Sequence, residues 1–360
     1  MSMVKTSYKK EDVIVLLKDL TGTMEELSTE SREKAIQSGV HYSEMLPQEH
    51  IPTKEYEALY EKALNDKKTE IAKDIAVVSE IMMKHTTGKP VIISLARAGI
   101  PVGILMKRYL NDKGIECSHY AISIIRDKGI DVNAMNYIYE AENGKVENFF
   151  FVDGWTGKGA IQNQLIEAVT ELKKDSKWKD LRDDLYVLAD PANITPYRGT
   201  QEDFLLPSAC LNSTVSGLTS RTILNNQIHE SDFHGAVYFE KFESVDKSNE
   251  FLDTVEAEFA KMDDVIPKEE KLHGKSGMEI VNDICKNFHI VDYKKVKPGI
   301  GETTRVLLRR IPWKVLINTD ETDSDIQHIL ELCKEKHIPT EKYPMGNYKV
   351  CGIIKELSDA

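Results

Sequence analysis

A pattern that recurs through the middle of the chain restricts the fold more than any other feature. Short, nearly unbroken apolar runs stop at turns rich in glycine or aspartate: "VIISLARAGIPVG" from position 91, "FFFVDGWTGKGAI" from 149 and "LYVLADP" from 185. Apolar residues at helical spacing follow the first two, over 102–110 and at Ile161, Leu165, Ala168 and Leu172. Apolar runs without alternation suit strands buried on both faces. Strands separated by helices can pair in parallel, because the helix supplies the crossover. Strands are therefore expected at 91–95, 120–124, 149–152 and 185–189, in a parallel α/β sheet.

The flanking segments read differently. Residues 1–88 read as a helical extension, with Ile71, Ile75, Val78 and Met82 at helical spacing and Gly88 and Pro90 as the stop. Residues 193–240, rich in Ser, Thr, Asn and Gly, read as a hood over the sheet. Phe251, Leu252, Val255, Phe259 and Met262 form one apolar helix face, and the charged stretch that follows reads as a linker. Residues 271–360 carry a balance of +2 in a chain of net charge −12. That shift predicts two domains, 1–265 and 266–360. The overall charge disfavours a uniformly basic nucleic-acid surface but leaves room for a local patch. The five cysteines, Cys117, Cys210, Cys285, Cys333 and Cys351, form no CxxC pair. They fit a reducing cytoplasm better than a zinc site or a disulfide framework. No apolar run approaches about 18 residues, so no membrane span is expected. Homo-oligomerisation stays open.

The turn after residue 152 carries Asp153, Thr156, Gly157, Lys158 and Gly159. Backbone N–H groups at such a turn point outward, and the helix start adds partial positive charge. Glycines admit an anion close to the backbone, Thr156 adds a donor and Lys158 a charge. A phosphate-binding turn is expected, with a plain strand–helix turn as the alternative. A Walker A loop does not fit, because Val152 stands at its first glycine and Gly159 at its Ser/Thr position. Gly154, Gly157 and Gly159 lack the GxGxxG spacing as well. Arg97 and Gly99 follow the first strand, where the guanidinium can grip two phosphate oxygens. Arg126 and Lys128 sit in a loop that reads as a mobile flap or as a solvated segment. Asp190-Pro191 and Ser216-Gly217 are expected to line a pocket, with His41, Tyr42 and Glu44 closing it or simply packing.

The segment "FFFVDGWTGKGAI" resembles the loop of type I phosphoribosyltransferases. The resemblance implies a type I phosphoribosyltransferase-like parallel sheet and glycosyl transfer on phosphoribosyl diphosphate or a related sugar phosphate. Magnesium would be carried by the diphosphate, with no direct protein ligand. It implies Asp153, Arg126 and Asp190 as catalytic residues. Thr156, Gly157, Lys158 and Gly159 would hold the 5′-phosphate, and Arg97 and Gly99 the pyrophosphate. The chain departs from that family in having Asp153-Gly154 where two acids are usual. With "GVHYSEMLP" at 39–47 and the polar stretch "YRGTQEDFLLPSACLNSTVSGLTS" from 197, residues 7–360 also resemble a bacterial family encoded with tellurite-resistance and stress genes. That family is described both as a predicted phosphoribosyltransferase and as cysteine protease StiP. The second description asks for a nucleophile, a base and an orienting group. Cys210 would be the nucleophile, His234 or His229 the base, and Asn212 or Asp232 the orienting group. The alternative for Cys210 is a small buried side chain.

Near the C-terminus, "VKPGIGETTRVLLRRIPWKVLIN" leads through a glycine turn into a basic helix and a strand. A helix around 326–336 and a strand near Pro339 should follow. This order resembles the Pelota/ribosomal-L7Ae RNA-binding domain, a small α/β unit. The resemblance places Gly301, Glu302, Thr303, Arg305 and Arg309 at structured RNA, with Arg310, Lys297 and Lys314 nearby. A solvated basic helix face and a protein-interaction module are the other readings. The combined expectation is a phosphoribosyltransferase with an RNA-binding domain. A cysteine protease and a non-catalytic RNA-binding sensor are the alternatives.

Overall fold

The computed structural model describes residues 2–262, 265, 267, 271–319 and 324–355, with the side chains of Glu33, Arg309 and Ser324 outside that description. The α/β alternation is present. Strands β1 (Ile14–Val15), β2 (Val91–Ala96), β3 (Ser118–Ile125), β4 (Phe149–Trp155), β5 (Leu185–Ala189) and β6 (Arg198–Thr200) form a sheet of order β1-β3-β2-β4-β5-β6. Neighbours along it are parallel, with Ile93 opposite both Tyr120 and Phe151. A short strand, Gly129–Ile130, adds an antiparallel pairing to β3.

Helices cover both faces, and the period of two along each strand divides the core. Ile92, Phe150 and Val152 pack in one cluster with Ile75 and Leu105, from α1 (Lys54–Lys84) and α2 (Gly99–Asp112). Val91, Ile93, Phe149 and Phe151 pack in the other with Met135 and Leu165, from α3 (Val132–Ala141) and α4 (Ala160–Leu172). Burial on both faces is why these strands lack alternation in the sequence. Residues 193–240 are largely irregular, and Phe204, Leu205, Leu206, Leu211 and Val215 are buried in the first cluster. The segment includes α5 (Pro207–Cys210), and α6 (Ser248–Glu256) follows it.

The first 88 residues are not one helical extension. The run at 13–17 supplies edge strand β1, and α-helix is confined to Thr29–Gln37 and α1. Five apolar residues fit either structure by periodicity alone. Pairing with β3 decides the outcome, as the Leu16 N–H donates to the Ala121 carbonyl at 2.9 Å.

A second sheet has the order β7-β10-β8-β9, from strands β7 (Val296–Pro298), β8 (Pro312–Ile317), β9 (Thr340–Lys342) and β10 (Val350–Ile354). Helices α7 (Gly277–Asn287), α8 (Ile300–Arg309) and α9 (Gln327–Glu335) accompany it. Ser276 and Glu279 close a reciprocal capping box at the start of α7. Among the described residues, no helix is long and apolar enough to cross a membrane.

Arg108 of α2 ties distant segments together. Its Nε and Nη2 donate to Asp12 at 3.0 and 2.6 Å, and Nη1 donates to Asp253 and Glu256 at 2.9 and 2.6 Å. Arg108 and Asp12 are both buried. Removing one member of a buried ion pair strands the other's charge, which costs about 3–5 kcal/mol. Arg108→Ala is therefore expected to lower the unfolding free energy by about that amount in urea denaturation.

Candidate functional site

The glycine turn after β4 does not stand open. Lys158 Nζ donates to the carbonyls of Tyr293 and Val296 at 2.9 and 3.1 Å, and the Tyr348 hydroxyl donates to the Gly157 carbonyl at 2.5 Å. The Thr156 hydroxyl donates to Asp190 at 2.6 Å and accepts from the Ala192 N–H at 3.2 Å. Asp190 is fully buried and also accepts from the Ile194 and Thr195 N–H groups at 2.8 and 3.0 Å. It therefore holds the turn that follows β5, which corrects its expected catalytic role. Burial raises its pKa against the pull of these bonds. Gly99 also has a structural reason, because a Cβ there would strike the Val152 carbonyl of β4.

Asp203 joins the two sheets. Its Oδ1 accepts from the Ile300 N–H at the start of α8, and its Oδ2 from the Lys349 N–H just before β10, both at 2.9 Å. Two charge-assisted bonds thus set the second sheet over the carboxyl ends of the first.

A cleft of about 820 Å³ opens at this junction. Arg97, Asp153, Cys210, Arg221 and Arg305 line it, together with Glu49, His50 and Asn212. A smaller cavity of about 210 Å³ adjoins it, holding Arg126 and Lys158 and sharing Asp153, Trp155, Lys297 and Glu302. Arg97 donates to the Thr219 carbonyl at 2.7 Å and to Glu49 at 3.3 Å, and Ser213 binds the other Glu49 oxygen. Arg305 pairs with Glu302 at 2.9 Å, donates to the Ala209 carbonyl at 3.1 Å and lies over the Trp155 ring at 5.3 Å. Arg221 lies over the Tyr42 ring, whose hydroxyl accepts from the Arg126 N–H at 3.0 Å. Burial, then Lys297 and Arg126, push the Lys158 pKa down to about 8. Burial, then Arg97 and Arg32, push Arg221 down to about 10. Burial raises Asp153 to about 7, opposed by its bond from the Gly154 N–H.

The structure does not bring the expected bases to Cys210. His234 Nδ1 lies 2.9 Å from the Ser123 hydroxyl, and its backbone N–H donates to Asp131. Asp232 pairs with Lys18 at 2.6 Å and accepts from the His229 N–H. None of these residues is among those lining the cleft. His50 shares the cleft wall with Cys210 instead, and Asn212 is present as expected. His50, Glu49 and Arg221 were not singled out from the sequence, since only long-range packing carries positions 49–50 and 221 to the β2 end. In the second sheet, Thr303 points inward: it is fully buried, and its hydroxyl accepts from the Gly352 N–H at 2.8 Å. That corrects its expected RNA contact. Glu302 and Arg305 do face the cleft, as does Arg310, whereas the Arg309 side chain lies outside the described residues. Among the described residues, no three or more His, Cys, Asp or Glu side chains gather as a metal site.

Asp153 sets a pH dependence with a definite sign. The folded chain keeps its proton up to about pH 7, whereas an ordinary aspartate releases it near 3.8. Between those values folding takes up a proton, so this group's contribution falls as pH rises and then levels off. Asp153→Asn should therefore gain stability relative to the parent from about pH 4 to about pH 7, read as a widening difference in urea midpoint.

Comparison with known proteins agrees with one of the two descriptions. The family described as "Tellurite-like stress resistance cysteine protease StiP" matches residues 6–256, and the "PELOTA RNA binding domain" matches residues 275–356. The "Cysteine protease StiP" of Acinetobacter baylyi (strain ATCC 33305 / BD413 / ADP1) is 31% identical over 368 residues, covering 98% of this chain and 94% of that protein. A hypothetical protein from Neisseria gonorrhoeae with bound ppGpp is 14% identical, with a TM-score of 0.24 over 35% of this chain and 68% of its own. An archaeal alanine:glyoxylate aminotransferase is 9% identical, with a TM-score of 0.20 over 90% of this chain and 88% of its own. Neither score is high enough to define the fold. The phosphoribosyltransferase expectation, with its phosphoribosyl diphosphate substrate, is overturned: the matching family and relative are both described as cysteine proteases. The physical counterpart is a glycine turn occupied by Tyr348 and by the Lys158 contacts to the backbone at 293 and 296. On the match over 6–256 and the identity along almost its whole length, the chain belongs to the StiP family.

Proposed function

We propose that the chain is a thiol-dependent protease acting in the cleft, with Cys210 as nucleophile, and that its C-terminal region binds RNA. The observation that carries the protease reading is that Cys210, His50 and Asn212 line one cavity. A cysteine nucleophile needs a base for its proton and a group to orient that base. His50, exposed on the cleft wall, takes the proton, and Asn212 orients the ring. The Cys210 thiol donates to the Leu206 carbonyl at 3.5 Å, so a side-chain rotation precedes attack. Sγ then bonds to the scissile carbonyl carbon, and the oxyanion that forms meets the positive charge of the cleft. The C–N bond breaks, His50 returns the proton to the leaving amine, and water hydrolyses the acyl-enzyme. The RNA part is supported by the Pelota match and by Glu302 in the first turn of α8 and Arg305 one turn further on, both lining the cleft.

Release of new N-termini from unfolded casein tests the protease reading. Cys210→Ala and His50→Ala are each expected to lower the rate by about a thousandfold or more. Cys285→Ala, on α7 and outside the cleft lining, should leave it unchanged. Undiminished proteolysis by Cys210→Ala would contradict the assignment.

A further inference from the structure

We infer that RNA binds inside the cleft, with its phosphates held by cations of both sheets, and not on the second sheet alone. The inference rests on the RNA-binding reading of residues 275–356 and adds where the strand runs. The chain has a net charge of −12, yet the cleft concentrates positive charge. Arg32, Arg97 and Arg221 reach it from the first part of the chain, and Lys297, Arg305 and Arg310 from the second. Arg126 and Lys158 line the adjoining cavity.

Among the described residues, three carboxylates line the same two cavities, and each is already accounted for. Glu49 is held by Arg97 and Ser213, and Glu302 by Arg305. Asp153 holds its proton through much of the acidic range, because burial disfavours its charge. The cations lie close enough to disfavour one another's charge, as Lys158 and Arg221 both show. A bound polyanion relieves that repulsion, and phosphate neutralisation is the main source of nucleic-acid affinity.

The cleft also selects the form of RNA. A space of about 820 Å³ takes a few unpaired nucleotides but no duplex. Trp155 and Tyr56 line it, and a base can stack on Tyr56 or join the stack that Arg305 already makes on Trp155. A strand in this position passes over Cys210, so one bound molecule touches both parts of the chain.

The test is fluorescence anisotropy of a short fluorescein-labelled oligouridylate with the full chain over a range of salt. Arg221→Gln and Arg310→Gln are each expected to weaken binding about three- to tenfold and to lower the log–log salt slope by about 0.7. Wild-type affinity in Arg221→Gln would overturn the inference while leaving RNA binding by the second sheet intact. Failure of the parent to bind the oligonucleotide, or tighter binding of polyglutamate at equal charge, would overturn both. Photocrosslinking of the parent with 4-thiouridine RNA gives a readout free of folding effects. Adducts at Trp155 or Tyr56 support the inference, and adducts confined to residues 275–355 contradict it.

Discussion

The carboxylate of Asp203 is the contact on which the rest of the arrangement depends. It is almost wholly buried and spends one oxygen on the first N–H of α8 and the other on the N–H that precedes β10. Both donors belong to the C-terminal unit, one at the start of α8 and one just before β10, so the second sheet is fixed in position and angle over the strand ends of the first. Gly299, at φ 94, lets the chain enter α8 directly against this carboxylate, where a side chain would crowd it. Breaking the contact would leave buried donors without partners, at about 1–3 kcal/mol each. The Lys158, Tyr348 and Arg305 contacts lie along the same seam and follow from that placement.

The seam also determines the chemistry. Strand ends of a parallel sheet are where loops converge, and here the second sheet turns that rim into a walled cleft. Cations from distant parts of the sequence meet inside an otherwise acidic protein, and of the carboxylates among them Glu49 and Glu302 are paired and Asp153 keeps its proton up to about pH 7. Such a space favours anionic ligands and negatively charged intermediates alike, because positive charge is already fixed there before anything binds.

The parallel sheet was legible in the sequence because its strands are buried on both faces. Phe149, Phe150, Phe151 and Val152 leave no polar position to confuse the reading. The edge strand β1 was not legible, since its short run becomes a strand only through pairing with β3. The glycine turn was legible as a strand-to-helix junction, but its use was not. A local motif reports which backbone groups can point outward, and says nothing of a tyrosine at position 348 that reaches them. The same limit explains the cleft. Cys210 and Asn212 stand out in a polar stretch, whereas His50 gains its meaning only when residues 47–53 pack beside β2. Thr303 reads as a surface residue from its motif, yet it serves as the internal partner of Gly352.

Amide hydrogen exchange at Ile300 and Lys349, compared between the parent and Asp203→Ala, tests most directly whether one carboxylate holds the cleft together. Both amides are expected to be protected in the parent and to exchange together, much faster, in the variant, with Gly277, whose N–H donates to the Ala192 carbonyl across the same seam, following as the seam loosens. Unchanged protection at Ile300 and Lys349 would show that the sheets are held by other contacts and would contradict the account.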